Sequence, residues 1–562
     1  MSSLISSLAW VRRGVAARHP SKYVLDDKEL ERVSALARIE LEDARTELER
    51  AHEAAQMMGK GAEGEEADDA GDDAEENWVD EDEGDAEDAM DVDSEAPEPA
   101  DDIAQYKLDE YDEETAPLSS GPFSNIKGLT YYKDNNDDPY ITLKEDAEDD
   151  DEREELEVLP TDNLIVVAKT EDEISQLEVY VYDDSQENLY CHHDLMLPNF
   201  PLCLEWLDFT PTSSTAPKSA SGNYIAVGTL DPEIEIWDLD TLESMYPASI
   251  LGRPDKTKAH IPTPLGTGKK KKKKTKHRTQ EKAYHVDAVL DLSWNRAQRN
   301  LLASASADRT VKLWDLSRDP TIGDGGEDGE SGGAIRSFDV HKDKVQAVQW
   351  NAAEPSVLLT GSYDRTVRTF DSRAPDAGVG AVLGSDVEAV RWDPWESYGF
   401  YVSLENGLVL NYDARTLTTD LTSTIVQPRF TLAAHDGAAS SIDVNPHIKG
   451  CLATGGTDKL VKVWNVIEDD AEGKRAVSLV TSRDLGVGKV FSTQFSPDDP
   501  LTLAAAGSKA KLQIWDVGAN FGARKAFASK LKTAGRELKE RAEGQDGIVG
   551  VADDDEESEG ED

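Results

Sequence analysis

Residues 301–316 read LLASASADRTVKLWDL: an apolar run, a polar turn, and a second run in which Val311 and Leu313 alternate with Lys312 before Trp314 and Asp315. The period of two on either side of the turn predicts antiparallel strands over 301–305 and 310–314. Val311 and Leu313 then face inward, Lys312 faces outward, and Asp308 sits in the turn. One such hairpin cannot bury its own faces, so the pattern has to recur. It recurs as VLLTGSYDRTVRTFDS (357–372) and CLATGGTDKLVKVWNV (451–466). Weaker copies are YIAVGTLDPEIEIWDL (224–239), with Asp231 and Trp237, and TLAAAGSKAKLQIWDV (502–517), where Lys509 takes the turn position. Two further copies, GFYVSLENGLVLNYDA (399–414) and NLIVVAKTEDEISQLEVYVYDD (163–184), end in Tyr-Asp.

These repeats resemble the WD40 repeat family. In that family a His, a strand Ser or Thr, the turn Asp and the Trp form a buried hydrogen-bonded set. The resemblance maps the set onto His285, Ser304, Asp308 and Trp314; onto His341, Thr360 and Asp364, with Phe370 in the Trp place; and onto His435, Thr454, Asp458 and Trp464. The chemistry is self-consistent, because the carboxylate accepts from the imidazole, the hydroxyl bridges, and the indole N–H finds an acceptor. Seven repeats imply an all-β fold, a seven-bladed propeller of four-stranded blades whose radial repetition protects the sheet edges. If each Trp-Asp ends the third strand of a blade, the last blade lacks its outermost strand after Asp516. The sequence PYITL at 139–143 is the candidate to fill it, with the first blade starting at 156–159.

The regions around the ring are set by charge. The formal net charge is −55, and residues 61–114 hold 27 Asp or Glu against one Lys. Residues 145–155 hold nine acids against one Arg, and 553–562 hold eight; together the three tracts carry 42 of the net negative charges. Such runs lack the apolar residues that offset ordering entropy, so they read as disordered. They serve either as solubilising tails or as nucleic-acid mimics that dock basic proteins such as ribosomal proteins or histones. The division that follows is a segment 1–60 with an amphipathic helix, an acidic linker 61–120, the ring 121–518, and a basic helix with an acidic tail over 519–562.

In the first segment Leu30, Val33, Ala37, Leu41, Ala44, Leu48, Ala51 and Ala55 recur at three and four residues behind Asp26 and Asp27, one face of a helix. Its thin, Ala-rich stripe suits a partner, with packing on the ring as the alternative. An insertion at 242–284 carries Lys269, Lys270, Lys271, Lys272, Lys273 and Lys274, then Lys276 and Arg278. This run is a nuclear import signal, a contact to the RNA backbone, or an arm folded back on the acidic tracts. No aromatic residue interleaves with it, which argues against base stacking there. Residues 317–333 form a Gly- and Asp-rich loop. Arg309, Arg365, Arg368 and Arg391 lie on blade faces, as solvated rims or as phosphate contacts. Over 521–543 seven Lys or Arg face three Glu, with Phe527, Leu531, Ala534 and Leu538 on one side. That is a helix for an RNA groove or a protein partner, or one packed across the rim.

Three cysteines, Cys191, Cys203 and Cys451, without a close pair fit a reducing compartment. No apolar run of roughly 18 residues spans a membrane. Cys191, His192, His193 and Asp194 are contiguous and of metal-ligand type, but neighbours on an extended strand point to opposite sides and do not converge. The repeat histidines are structural partners, so the reading is a non-enzyme without metal, cofactor or small-molecule substrate.

WVRRG (10–14), KYVLDDKELERV (22–33) and PTDNLIVVAKTEDEISQLEVYVYDD (160–184) make the chain similar to the periodic tryptophan protein 1 family. That resemblance implies a nucleolar assembly factor of the large ribosomal subunit, in the nucleus, among other assembly factors, ribosomal proteins and precursor rRNA. It also implies an alternative at ribosomal-gene chromatin, binding histones.

Overall fold

The computed structural model describes residues 3–23, 156–172, 174–211, 221–252, 280–318, 333–374, 378–421, 426–469, 474–533, 535 and 547–551. Contacts divide the chain into residues 1–38 with 153–562 and, separately, 39–152, which lie outside the described residues. The amphipathic segment 27–55, most of the acidic tracts, the lysine run and the strand expected at 139–143 therefore fall outside them.

The described residues build seven four-stranded antiparallel blades. From the channel outward, blade 3 consists of Val289–Trp294, Leu301–Ser306, Val311–Asp315 and Arg336–Phe338. Blade 4 has its inner strand at Val345–Trp350, blade 5 at Val387–Trp392, blade 6 at Ser441–Val444 and blade 7 at Val490–Phe495. Blade 2 begins at Pro201–Phe209. Six of the seven inner strands carry a register shift, and an extra residue at the same depth supplies the strong local twist that a narrow ring demands.

Blade stacking changes what alternation means. Lys312, expected to face water, is fully buried alongside Val311 and Leu313. Its ammonium donates to the Glu281 carbonyl at 2.6 Å and to the Ser337 hydroxyl at 2.8 Å. Both faces of each blade are covered by neighbours, so an outward position on the pleat is still an interior one. The closeness of the blades shows at Gly361 and Gly455. A Cβ built there would lie 2.5 Å and 2.6 Å from Val387 and Val490 of the following blade.

Ring closure differs from the expectation. The inner strand of blade 1 is Ser3–Val11, paired antiparallel with Asn163–Glu171, so the first blade starts at the N-terminus and not at 156–159. The outer strand of blade 7 is Ile548–Gly550, paired with Leu512–Asp516, so the slot assigned to 139–143 is taken from the C-terminal side. The ring thus extends beyond 121–518 at both ends. Ile5, Leu8 and Val11 are fully buried, and Ile5 and Leu8 pack with Leu512 and Ile514 of blade 7. The seam is also hydrogen-bonded. The Trp10 indole donates to the Gln494 carbonyl at 3.2 Å, the Arg13 amide to Asp498 at 3.0 Å, and the Arg13 guanidinium to both oxygens of Asp499 at 3.1 and 2.6 Å.

The basic helix is Phe521–Thr533, and Asn520 caps it by accepting from the amides of Gly522 and Ala523. Ala523, Phe527 and Leu531, spaced by four, are buried against blades 6 and 7. Of the readings open for this helix, packing on the ring is the one the structure shows. No helix among the described residues is long and apolar enough to cross a membrane.

Candidate functional site

The repeat chemistry is most complete in blade 3. Trp314 Nε1 donates to Ser304 Oγ at 2.8 Å, the Ser304 hydroxyl lies 2.7 Å from His285 Nε2, and His285 Nδ1 lies 2.9 Å from Asp308 Oδ2. The indole N–H occupies one acceptor site of the hydroxyl, whose proton then points at Nε2, so the imidazole proton sits on Nδ1 facing the carboxylate. Burial lowers the pKa of His285 against the pull of Asp308. Burial opposes the charge on Asp308, but its bonds to His285 and Thr310 outweigh it and its pKa falls. Blade 6 repeats the set. His435 lies 2.9 Å from Asp458 and 2.8 Å from Thr454, to which Trp464 donates at 2.9 Å.

In blade 4, His341 lies 3.1 Å from Asp364 and 2.8 Å from Thr360. Phe370 cannot donate, and it packs instead on Phe338 with ring centroids 4.9 Å apart. Blade 2 solves the same problem with a carboxylate. Trp237 donates to Glu235 at 3.0 Å, and burial pushes Glu235 up to about 7. Every one of these groups has its hydrogen-bonding capacity taken up inside a blade, which is a structural use.

Lys269 to Lys274, Lys276 and Arg278 lie outside the described residues. Arg309 and Arg365 occupy left-handed turn positions, φ 73° and 63°, directly after the turn Asp of blades 3 and 4. Arg365 pairs with Asp386 at 3.0 Å. Arg391 points into the central channel, 3.5 Å from Asp443. Among the described residues no group of three His, Cys, Asp or Glu is placed to hold a metal ion. The imidazoles of His192 and His193 nevertheless do meet, Nδ1 to Nδ1 at 2.8 Å. A register shift opposite Val179 and Tyr180 leaves His192 as the extra residue and turns the two rings together, so the argument from opposite sides of an extended strand fails here.

A site that the repeat pattern did not reveal lies at one end of the channel. A cavity of about 360 Å³ opens where the inner strands turn into the second strands. At its wall stand Glu205, Ser293, Gln349, Arg391 and Gln494, each directly before an aromatic of its inner strand, and Asp443, which holds the same place before Val444 in blade 6. Several of these clamp the next blade. Glu205 accepts from the Trp294 amide at 3.1 Å, Ser293 from Trp350 at 3.1 Å, Gln349 from Trp392 at 2.6 Å, and Asp443 from Phe495 at 2.8 Å. Asp291, one step deeper, accepts from Val348 at 2.8 Å, and burial pushes its pKa up to about 7. At the mouth stand Arg12 and Arg296. Arg296 keeps exposed surface, yet the surrounding protein desolvates its guanidinium enough to lower its pKa, with Glu205 opposing and the charges of Arg12 and Arg391 adding to the fall. The signal was present as the pairs EW, SW, QW, RW and QF in the inner strands. Polar letters there read as a solvent face, although they face the channel.

A WD domain, G-beta repeat model matches residues 278–315, 332–371 and 426–465, which fall in blades 3 to 6. An uncharacterised WD repeat-containing protein of Schizosaccharomyces pombe is 41% identical over 94% of this chain and 92% of its own length. Periodic tryptophan protein 1 of Saccharomyces cerevisiae is 35% identical over 96% of this chain and 92% of its own. The chain belongs to the periodic tryptophan protein 1 family. The Drosophila melanogaster homologue of periodic tryptophan protein 1 is 29% identical over 93% of this chain and 96% of its own.

In this member of the periodic tryptophan protein 1 family, nine of the eleven tryptophans fill two places in the blade. Trp10, Trp206, Trp294, Trp350 and Trp392 end inner strands or lie within them, and Trp237, Trp314, Trp464 and Trp515 lie in third strands. Trp78 lies outside the described residues. The remaining one, Trp395, belongs to neither place and is 42% exposed beside the cavity mouth.

Proposed function

We propose that this protein is a non-catalytic scaffold in assembly of the large ribosomal subunit, acting in the nucleus and nucleolus. Its ring holds assembly factors and ribosomal proteins, and its charged arms engage precursor rRNA and basic partners. The observation that carries this reading is the extent of the family likeness: 35% identity to periodic tryptophan protein 1 runs through 96% of the chain, the arms as well as the ring. The arms have the chemistry the role needs. The run Lys269 to Lys274 with Lys276 and Arg278 neutralises phosphates without sequence preference, and acidic tracts accept basic proteins.

The test is in-cell crosslinking of the tagged protein to RNA, followed by sequencing of the attached fragments. Discrete peaks in precursor or mature large-subunit rRNA are expected. An RNA-poor preparation enriched in histones would overturn the assembly reading. It would favour the second one, histone binding at ribosomal genes, for which the acidic tracts are the specific observation. The two readings also differ in what they depend on: replacing the lysine run weakens RNA association in the first and leaves the second intact.

A further inference from the structure

We propose that the cavity end of the ring is a binding surface for single-stranded RNA, with Arg12 and Arg296 holding phosphate and Trp395 stacking a base. The choice of RNA over DNA rests on the assembly reading above; the surface itself rests on the geometry.

Arginines on this ring are characteristically paired. Arg13, Arg299, Arg365, Arg373, Arg415, Arg429 and Arg475 each bond a carboxylate. Arg12 and Arg296 share with Arg309 and Arg368 that, among the described residues, no hydrogen bond or ion pair reaches the guanidinium; what sets the first two apart is that both are exposed at the cavity mouth. The nearby carboxylates of Glu205 and Asp443 act on Arg296 through their charge alone, without a hydrogen bond to its guanidinium. Glu205, Asp291 and Asp443 each accept a backbone amide of the next blade, and Asp443 also faces Arg391. Trp350, 6% exposed on the cavity wall, has an indole N–H without an acceptor. Two planar guanidiniums without a hydrogen-bonded carboxylate around one opening suit an anion with several oxygens, such as a phosphate. The engaged carboxylates below keep that anion at the mouth.

The neighbouring aromatics select the class of ligand. Trp395 follows Pro394, itself at the cavity wall, and its indole N–H donates to the Asn445 carbonyl of blade 6 at 3.0 Å. The ring is therefore held rigidly across a blade seam with a face in water. Tyr398, one turn of the same loop away, is 41% exposed and carries the Arg415 guanidinium 4.9 Å from its centroid. Rigid aromatic faces beside guanidiniums without a hydrogen-bonded carboxylate are what single strands use, with bases on the rings and phosphates on the cations. An acidic peptide would use the arginines alone and has no need of Trp395.

The experiment uses the full chain with Lys269 to Lys274, Lys276 and Arg278 replaced by Ser, so that the flexible run does not mask the ring. Binding of a labelled 12-nucleotide oligouridine RNA is followed by fluorescence anisotropy at several salt concentrations. The parent of this series binds. Arg12→Gln with Arg296→Gln weakens binding at least tenfold and lowers the salt slope by about 1.4, the value for two phosphate contacts to a single strand. Trp395→Ala weakens it by about fivefold or more, in line with one stacked base. Unchanged thermal melting of both variants separates lost binding from lost fold. RNA binding that is absent in the parent, or unaffected by both variants, overturns the surface while leaving the assembly reading to its own crosslinking test. Binding of a labelled oligo-aspartate peptide that depends on Arg12 and Arg296 but not on Trp395 also overturns it, in favour of an acidic protein partner.

Discussion

Replacing the turn carboxylate by alanine in blades 3, 4 and 6 makes one chemical change in three degrees of shelter. Asp308 accepts from His285 Nδ1 at 2.9 Å, the Val286 amide at 3.2 Å, the Thr310 amide at 2.9 Å and the Thr310 hydroxyl at 2.6 Å. Asp364 has the equivalent four donors in His341, Lys342 and the amide and hydroxyl of Thr366. Asp458 has three, because Leu460 stands where Thr310 does and has no hydroxyl. The side chains are 1%, 8% and 13% exposed, so water reaches the stranded donors progressively more easily. A buried donor left unpaired costs about 1–3 kcal/mol, and removing one partner of a buried pair about 3–5 kcal/mol. Asp308→Ala is therefore expected to cost about 4 kcal/mol, Asp364→Ala about 3, and Asp458→Ala about 1–2. Urea unfolding midpoints at constant slope, followed by tryptophan fluorescence, measure the series. Equal losses at the three positions, or a loss below about 1 kcal/mol at Asp308, would refute the donor-counting argument.

Three further outcomes follow from other parts of the molecule. Arg13→Ala opens the two bonds to Asp499 at the ring seam and should lower stability by about 1–3 kcal/mol, with Arg13→Lys recovering only part because an ammonium cannot span both oxygens; equal stability of Arg13→Lys and the parent would sink this. Glu235 is raised in the fold to about 7, so its contribution is fully present below its unfolded value and is lost as pH rises through 7, whereas His285 is lowered and its contribution is lost as pH falls below about 6.5. Glu235→Gln keeps an acceptor for Trp237 and should remove the fall in melting temperature that Glu235 contributes as pH rises from about 4.5 to about 7; a profile unchanged over that span counts against it. On the C-terminal helix, Phe527→Ala should cost about 3–5 kcal/mol in denaturant unfolding and Phe521→Ala nothing measurable, since the first ring is fully buried and the second 81% exposed; similar losses would mean that the helix is not anchored as described.

What the sequence made legible is what is local. The third-strand aromatic, the turn Asp and the upstream His sit within a few dozen residues of one another, so the WD40 resemblance could place the sets of blades 3, 4 and 6 on local stretches of sequence. What it hid depends on distant partners. Ser3–Val11 pairs with Asn163–Glu171 across more than 150 residues of sequence and reads SLISSLAWV, without a clean alternation and with no turn to mark a hairpin. Ile548–Gly550 is three residues long, too short for any period to register. Lys312 looked solvent-facing because alternation is an argument about one sheet, and in a ring the next sheet covers the other face. The cavity was hidden for the related reason that a channel lined by Glu205, Gln349, Arg391 and Gln494 has the polarity of a surface.

The N-terminal WVRRG carries two separable jobs within five residues, and this decides how the ring should be probed. Trp10 and Arg13 fasten the first strand to blade 7, so they belong to closure. Arg12, between them, lines the cavity mouth, and no hydrogen bond or ion pair among the described residues reaches its guanidinium. An N-terminal truncation would remove a buried strand of blade 1 together with Arg12, and a loss of binding after it would report only that the ring had opened. Changing Arg12 alone leaves Ile5, Leu8, Trp10 and Arg13 in place, so closure is kept while the charge at the mouth is altered. A function that survives Arg13→Ala at reduced stability but fails with Arg12→Gln at full stability would belong to the cavity face. The reverse pattern would reduce the motif to a clasp.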